Sequence, residues 1–184
     1  MIIKSTKIEG VKLIYPDYFK DQRGFFVEVY KIRNLKKLFS GNFVQENKSL
    51  SSNKWTFRGM HFQKGKYSQD KLINVMKGSI IDFIFDLRSK SKTYKKLLKI
   101  KISENSKFLI FIPKGCAHGF LTTSKNTIFN YRVSSYYNKK SEDGINFDSI
   151  KRNYKLPKKV IISDKDKNQE NFSEDRIYFW KKKY

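Results

Sequence analysis

The sequence predicts an all-β protein, a sandwich or a barrel, and three observations carry that expectation. Stretches with apolar residues at alternate positions recur at close spacing, at residues 10–15, 25–30, 43–49, 71–76, 79–87, 97–102, 108–112 and 127–133. Turn-forming clusters separate them, among them MKGS at 76–79, LRSKS at 87–91, SENS at 103–106 and PKG at 113–115. Only residues 32–39 read as a short helix, so long helices do not alternate with strands as a doubly wound sheet requires.

The clearest strand is SIIDFIFDL at 79–87, where Ile81, Phe83, Phe85 and Leu87 share one face and Asp82 and Asp86 lie on the other. After it, RSKSKTYKKLLKIK at 88–101 sets lysines against Leu98 and Ile100, the pattern of a half-buried strand with a wet face. FRGMHFQ at 57–63 reads as a strand. In IPKGCAHGF at 112–120, Pro113 and Gly115 predict a tight turn that returns the chain into a strand, with His118 near its start and pointing from its rim. Beyond residue 136 polar residues dominate. Residues 136–184 are expected as loops and short elements packed over the barrel, ending in a loosely held WKKKY. A chain of 184 residues fits one domain, 1–184.

The net charge of +23, from 40 Lys+Arg against 17 Asp+Glu, first suggests nucleic acid. The lysines are scattered, however, without zinc-finger spacing or a Gly-rich RNA-reading signature, so no nucleic-acid partner is expected. A general surplus of lysine also favours a small anionic substrate such as a nucleotide. The single cysteine, Cys116, excludes an intrachain disulfide and reads as a core thiol. No signal peptide is recognised, and no apolar run approaches the roughly 20 residues of a membrane span, so a cytoplasmic protein without a membrane partner is expected.

The chain has two histidines, His61 and His118. If the strand carrying His61 runs beside the one carrying His118, both rings face one cavity. A metal site wants about three protein ligands, and Gln63 stands where a His-x-His pair would need its second ring. Proton transfer suits an imidazole titrating near neutrality, particularly with a carboxylate to orient it. Arg58 in the same strand and Lys71 after the next turn favour a site for phosphates, or for negative charge developing on an oxygen. The structural alternative, a buried hydrogen bond at His61, stays open on the residues alone.

Seven motifs in order resemble the dTDP-4-dehydrorhamnose 3,5-epimerase family: RGFFVE at 23–28, FVQENKSLS at 43–51, FRGMHFQ at 57–63, QDKLINVMKGSIIDFIFDLR at 69–88, IPKGCAHGF at 112–120, YRVSSYY at 131–137 with SEDGI after it, and ISDKD at 162–166. The resemblance implies a cupin-type jelly-roll barrel with short helices and a loop-rich C-terminal region. It also implies an isomerase of dTDP-rhamnose biosynthesis that inverts carbons 3 and 5 of a nucleotide-linked 4-keto-6-deoxyhexose without metal or cofactor. His61 matches the family's base, Asp166 its orienting carboxylate, Tyr131 the acid on the opposite face and Lys71 the group that stabilises the enolate oxygen. Arg23 and Arg58 match pyrophosphate clamps; Phe26, Glu28, Gln45, Asn47, His118, Tyr137 and Glu142 match positions lining the substrate pocket, with Tyr137 stacking on the base. A homodimer that exchanges its first strands is implied too, in which Arg23, Phe26 and Glu28 serve the partner's site. The family's Ser-Pro-Thr-Phe-Gly turn is SKTYK here, at 91–95. A 3-epimerase or a 3,4-ketoisomerase for a related nucleotide sugar, or a non-enzymatic jelly roll that binds polyanions, are the alternatives.

Overall fold

Alternation of apolar and polar side chains is satisfied by strands, and strands make up most of the regular structure in the computed structural model. It describes residues 1–39, 41–176 and 178; the expectation for the terminal WKKKY lies outside the described residues. The strands are β1 (Ile2–Ser5), β2 (Lys12–Tyr15), β3 (Tyr18–Asp21), β4 (Gly24–Val27), β5 (Gln45–Ser51), β6 (Phe57–Gln63), β7 (Lys71–Lys77), β8 (Ser79–Asp86), β9 (Leu97–Ser103), β10 (Leu109–Ile112), β11 (Cys116–Thr122), β12 (Thr127–Val133) and β13 (Glu142–Gly144). Two one-turn helices, α1 (Ile32–Leu35) and α2 (Asp164–Lys167), accompany them. The helix expected over 32–39 stops early: Lys31 makes no side-chain cap bond, and Leu35 is its one buried anchor.

The strands form a six-stranded sheet in the order β1-β2-β10-β7-β12-β5, a five-stranded sheet in the order β13-β6-β11-β8-β9, and a separate β3–β4 hairpin. The expected jelly-roll barrel is therefore corrected. A barrel requires its outermost strands to pair with each other, but β1 and β5 end one sheet and β13 and β9 end the other, and among the described residues no sheet closes. Two open sheets instead face each other across a shared core. Ile73, Val75, Ile110, Ile112 and Phe129 from the larger sheet meet Ile80, Ile84, Ile102 and Phe120 from the smaller.

Each sheet also covers its outer face. Phe57, Phe83 and Phe85 pack outward against Ile145, Phe147, Tyr154 and Phe172 of the C-terminal segment. On the larger sheet, Ile14, Leu72 and Phe111 pack against Leu35, Leu38 and Phe39. The centre of β8 is thus buried on both sides. Its Phe face looks to the C-terminal segment, and its Asp face, which the sequence pattern sets apart from the core, is enclosed as well: Asp82 and Asp86 are fully buried. In β9 the lysines stay wet, with Lys99 and Lys101 exposed and Ile102 buried between the sheets.

Asp86 ends β8 by tying down the turn that follows. Its carboxylate accepts bonds from Arg88 Nε at 2.8 Å, Ser91 Oγ at 2.7 Å and Thr93 Oγ1 at 2.7 Å. Arg88 reaches on to the Glu9 carbonyl at 2.5 Å, joining the N-terminal loop to the same knot. Burial works to raise the Asp86 pKa, but these donors outweigh it and hold the carboxyl below its ordinary value. A carboxyl depressed on folding adds stability above its unfolded pKa and loses it as pH falls through the folded value. Asp86→Asn should therefore cost about 2–4 kcal/mol of unfolding free energy at pH 7. Urea denaturation of both proteins should show the difference constant from pH 8 to 5 and shrinking below about pH 4.

Candidate functional site

The site grows from the pairing of β6 with β11. His61 and His118 are direct partners in that antiparallel register, and an irregularity follows between His118 and Phe120. The strands come unusually close there because both carry a glycine: a Cβ on Gly59 would lie 2.5 Å from Gly119 Cα, and Gly59 has φ +138. His118 thus sits inside a strand, buried, and does not point from a rim.

Between the sheets lies a cavity of about 360 Å³. The small sheet contributes Arg58, His61, His118 and Glu142 to its lining, the large sheet Ser49, Lys71 and Tyr131, and the C-terminal segment Ser163, Lys165 and Asp166. Tyr137 lines it from the loop after β12.

His61 Nε2 meets Asp166 Oδ1 at 2.7 Å, and Asp166 Oδ2 accepts the Gly59 N–H at 3.1 Å. Ser163 caps α2 by accepting the Asp166 N–H, so the carboxylate sits on a one-turn helix packed beside β6. Burial pushes the Asp166 pKa up, but the His61 bond and charge, the Gly59 N–H and Lys165 outweigh it and hold the group ionised. His118 Nε2 meets Asp82 Oδ1, also at 2.7 Å. Here burial dominates, raising the Asp82 carboxyl and lowering the imidazole against their mutual attraction, so the pair tends towards its neutral form.

Lys71 crosses from β7 to within 3.3 Å of the His61 carbonyl. Burial lowers its pKa to about 8, with Asp82 opposing the fall. Tyr131, on β12, has its phenol raised by burial and by Glu142. At the mouth Glu142 accepts a bond from Tyr137 Oη at 2.9 Å and pairs with Lys165 at 2.6 Å. Burial pushes the Glu142 carboxyl up, and those two contacts outweigh it and lower it.

Eight of the residues singled out from the sequence converge on this cavity: Arg58, His61, Lys71, His118, Tyr131, Tyr137, Glu142 and Asp166. Gln45 and Asn47 lie beside it on β5, bonded to each other at 2.8 Å, and Gln45 also accepts the Tyr137 N–H. Arg23, Phe26 and Glu28 do not join it. Arg23 pairs with Asp21 on the exposed hairpin, Phe26 is 65% exposed, and Glu28 pairs with Lys31. Sequence reasoning missed Asp82 and Lys165. An aspartate among six apolar residues in 79–87 was the available signal for the first; the second stands one residue before Asp166.

The arrangement can hold a proton acceptor on one wall, a donor on the facing wall and cations around an anion. Comparisons with known proteins agree in kind. The family model described as dTDP-4-dehydrorhamnose 3,5-epimerase matches residues 5–174. The dTDP-4-dehydrorhamnose 3,5-epimerase of Escherichia coli is 37% identical over 170 residues, which cover 90% of this chain and 91% of the relative. A crystal structure of the Bacillus anthracis enzyme with TDP and PPi bound superposes with a TM-score of 0.87 at 38% identity, over 93% of this chain and 99% of that one. The Legionella pneumophila enzyme, solved in complex with dTDP-4-keto-L-rhamnose, gives a TM-score of 0.85 at 33% identity, over 92% of each chain. With a matching model spanning nearly its whole length and relatives above one-third identity, the chain belongs to the dTDP-4-dehydrorhamnose 3,5-epimerase family.

Proposed function

We propose that the protein inverts carbons 3 and 5 of a dTDP-linked 4-keto-6-deoxyhexose, turning dTDP-4-dehydro-6-deoxyglucose into dTDP-4-dehydrorhamnose for polysaccharide synthesis. The observation that carries this reading is an imidazole braced by an ionised carboxylate on one sheet, facing a phenol and an ammonium on the other. Both carbons flank the C4 ketone, so a proton leaving either one deposits its electron pair on the ketone oxygen as an enolate.

In this mechanism Asp166 accepts the Nε2–H of His61 and leaves the Nδ1 lone pair as the base. Lys71, charged below about pH 8, balances the enolate oxygen. Tyr131 returns a proton from the opposite wall, and delivery to the other face of the planar enolate is what inverts the centre. Its raised pKa keeps the phenol protonated until then. The imidazolium and phenolate left behind return to their starting states by exchange with solvent, and the second carbon follows the same course.

Arg58 and Lys165 suit the pyrophosphate, and Tyr137, half-exposed at the mouth, suits the nucleoside base. The domain is read as one unit over 1–184. Among the described residues the hairpin β3–β4 pairs with no other strand, and it exposes Phe19, Phe25 and Phe26 by more than 60% each, an apolar surface that a second copy would cover. A homodimer in which this hairpin brings Arg23, Phe26 and Glu28 to the partner's cavity accounts for their distance from the site. No described helix is long and apolar enough to cross a membrane. The cytoplasm, where nucleotide sugars are made, is the proposed location.

Incubation with dTDP-4-keto-6-deoxyglucose in deuterated water, followed by proton NMR, tests the reaction: deuterium should enter at both carbons with the inverted product. Label at carbon 3 alone would replace the proposal with a 3-epimerase or a 3,4-ketoisomerase. His61→Ala should slow exchange about 10²–10⁴-fold, whereas Tyr131→Phe should keep exchange and lose inversion. Wild-type turnover in both variants would sink the assignment.

The Lys71 ammonium is the working form and its pKa is lowered to about 8, so kcat/KM should fall as pH rises through that value. Lys71→Arg, which stays charged, should lose this alkaline limb while keeping part of the activity. A limb that survives unchanged in that variant assigns it to another group.

A further inference from the structure

The carboxylate that braces His61 is itself held from behind by a residue with no assigned role. Gln169 lies three positions after Asp166, just past α2, and its Nε2 donates to Asp166 Oδ1 at 3.4 Å, long for a hydrogen bond. That is the same oxygen that meets His61 Nε2. On its other side the amide rests on Gly144, the residue paired with His61 across β13 and β6. A Cβ at Gly144 would lie 2.3 Å from Gln169 Nε2 and 2.7 Å from Oε1, so the side chain occupies the space that glycine leaves.

The amide's orientation carries chemical information. Gln169 Oε1 is buried and has no hydrogen-bond partner among the described residues. Turning the amide over would set that oxygen against the Asp166 carboxylate, acceptor against acceptor. The side chain instead leaves one of its own groups unmatched and presents N–H to Asp166, the arrangement an ionised carboxylate demands.

We propose that Gln169, seated on Gly144, is a positioning residue that shares Asp166 Oδ1 with His61 and so limits how strongly Asp166 holds the imidazole in its protonated form. This rests on the reading of His61 as the base. A carboxylate that gives all of its charge to His61 would favour imidazolium, which cannot take a proton from the substrate. The second donor draws off part of that charge. The other titratable and charged groups around the pair are Lys71 on β7, His118 on β11, Glu142 on β13, Lys165 on α2, Arg58 on β6, Tyr131 on the facing wall and Tyr137 at the mouth, with Asp143 and Arg176 beside Gly144. None of these is altered by changing Gln169.

The test uses the full chain with Gln169→Leu, which removes the donor, and Gln169→Glu, which adds a charge. Gln169 is half-buried at the edge of the fold, so both variants should fold. With only two histidines in the chain, the His61 ring can be followed by 1H–15N NMR across pH, assigned by comparison with a His118→Asn sample. Ring titration should move up by about half a pH unit in the Leu variant and further in the Glu variant, and the acid limb of kcat/KM should move with it. Gly144→Ala should reproduce the Leu shift and add nothing in a Gln169→Ala background, since it acts only by displacing the amide. Unchanged ring titration in both Gln169 variants, whatever happens to Tm, would overturn the proposal. If the ring titration moves while the acid limb does not, Gln169 does position the pair and the assignment of His61 as base is what fails.

Discussion

The close approach of β6 and β11 at Gly59 and Gly119 is the constraint on which the rest of the site depends. A side chain at either position would press into the backbone of the facing strand, since a Cβ on Gly119 would meet the Arg58 carbonyl at 2.8 Å. Because the strands close there, His61 comes opposite His118. The Gly59 N–H is then free to bond Asp166, and the far edge of β6 takes up β13 and with it Glu142. Two catalytically suited elements, a short strand and a one-turn helix, would have little stability alone. Both are held by one strand that is itself fixed in the sheet.

The same strand pair shows how burial makes two similar contacts behave differently. Each imidazole meets a carboxylate at 2.7 Å. His61 keeps 33% of its side chain exposed and its partner has a backbone N–H and a nearby lysine, so the carboxylate stays ionised. His118 keeps 7%, Asp82 none, and Asp82 Oδ2 is buried with no hydrogen-bond partner among the described residues, so desolvation drives that pair towards neutrality. One pair is equipped for proton transfer and the other for holding shape beside it. Lys71, buried near both pairs, is a cation that keeps a cavity with three nearby carboxyl groups, Asp82, Glu142 and Asp166, suited to negative charge.

Much of this was legible in advance. The strand over 79–87 and its neighbours follow from alternation, and the histidines in FRGMHFQ and IPKGCAHGF drew notice because the chain has no others. Ordered motifs brought Asp166, Tyr131 and Lys71 to the same proposal. The barrel was not legible and was wrong: alternation specifies which face of a strand is apolar, not whether the outermost strands of a sheet meet. That the face carrying Asp82 is enclosed was not legible either, because period two separates faces without saying what covers the second one. β1, β3 and β13, of three or four residues, were not among the stretches the period singled out.

The sequence by itself determined that the chain would be built of strands, which side chains would share a face, and, through motif order, the family to which it belongs. These are local properties, carried by side-chain type and spacing. Tertiary structure alone decided that the sheets stay open, that His61 faces His118, that Arg23, Phe26 and Glu28 lie away from the cavity, and that Gln169 backs Asp166. Those depend on register and layer contact between residues up to 107 positions apart in the chain, as Gly59 and Asp166 are. Charge, solvent and neighbouring backbone act on them only once the two sheets have closed on each other.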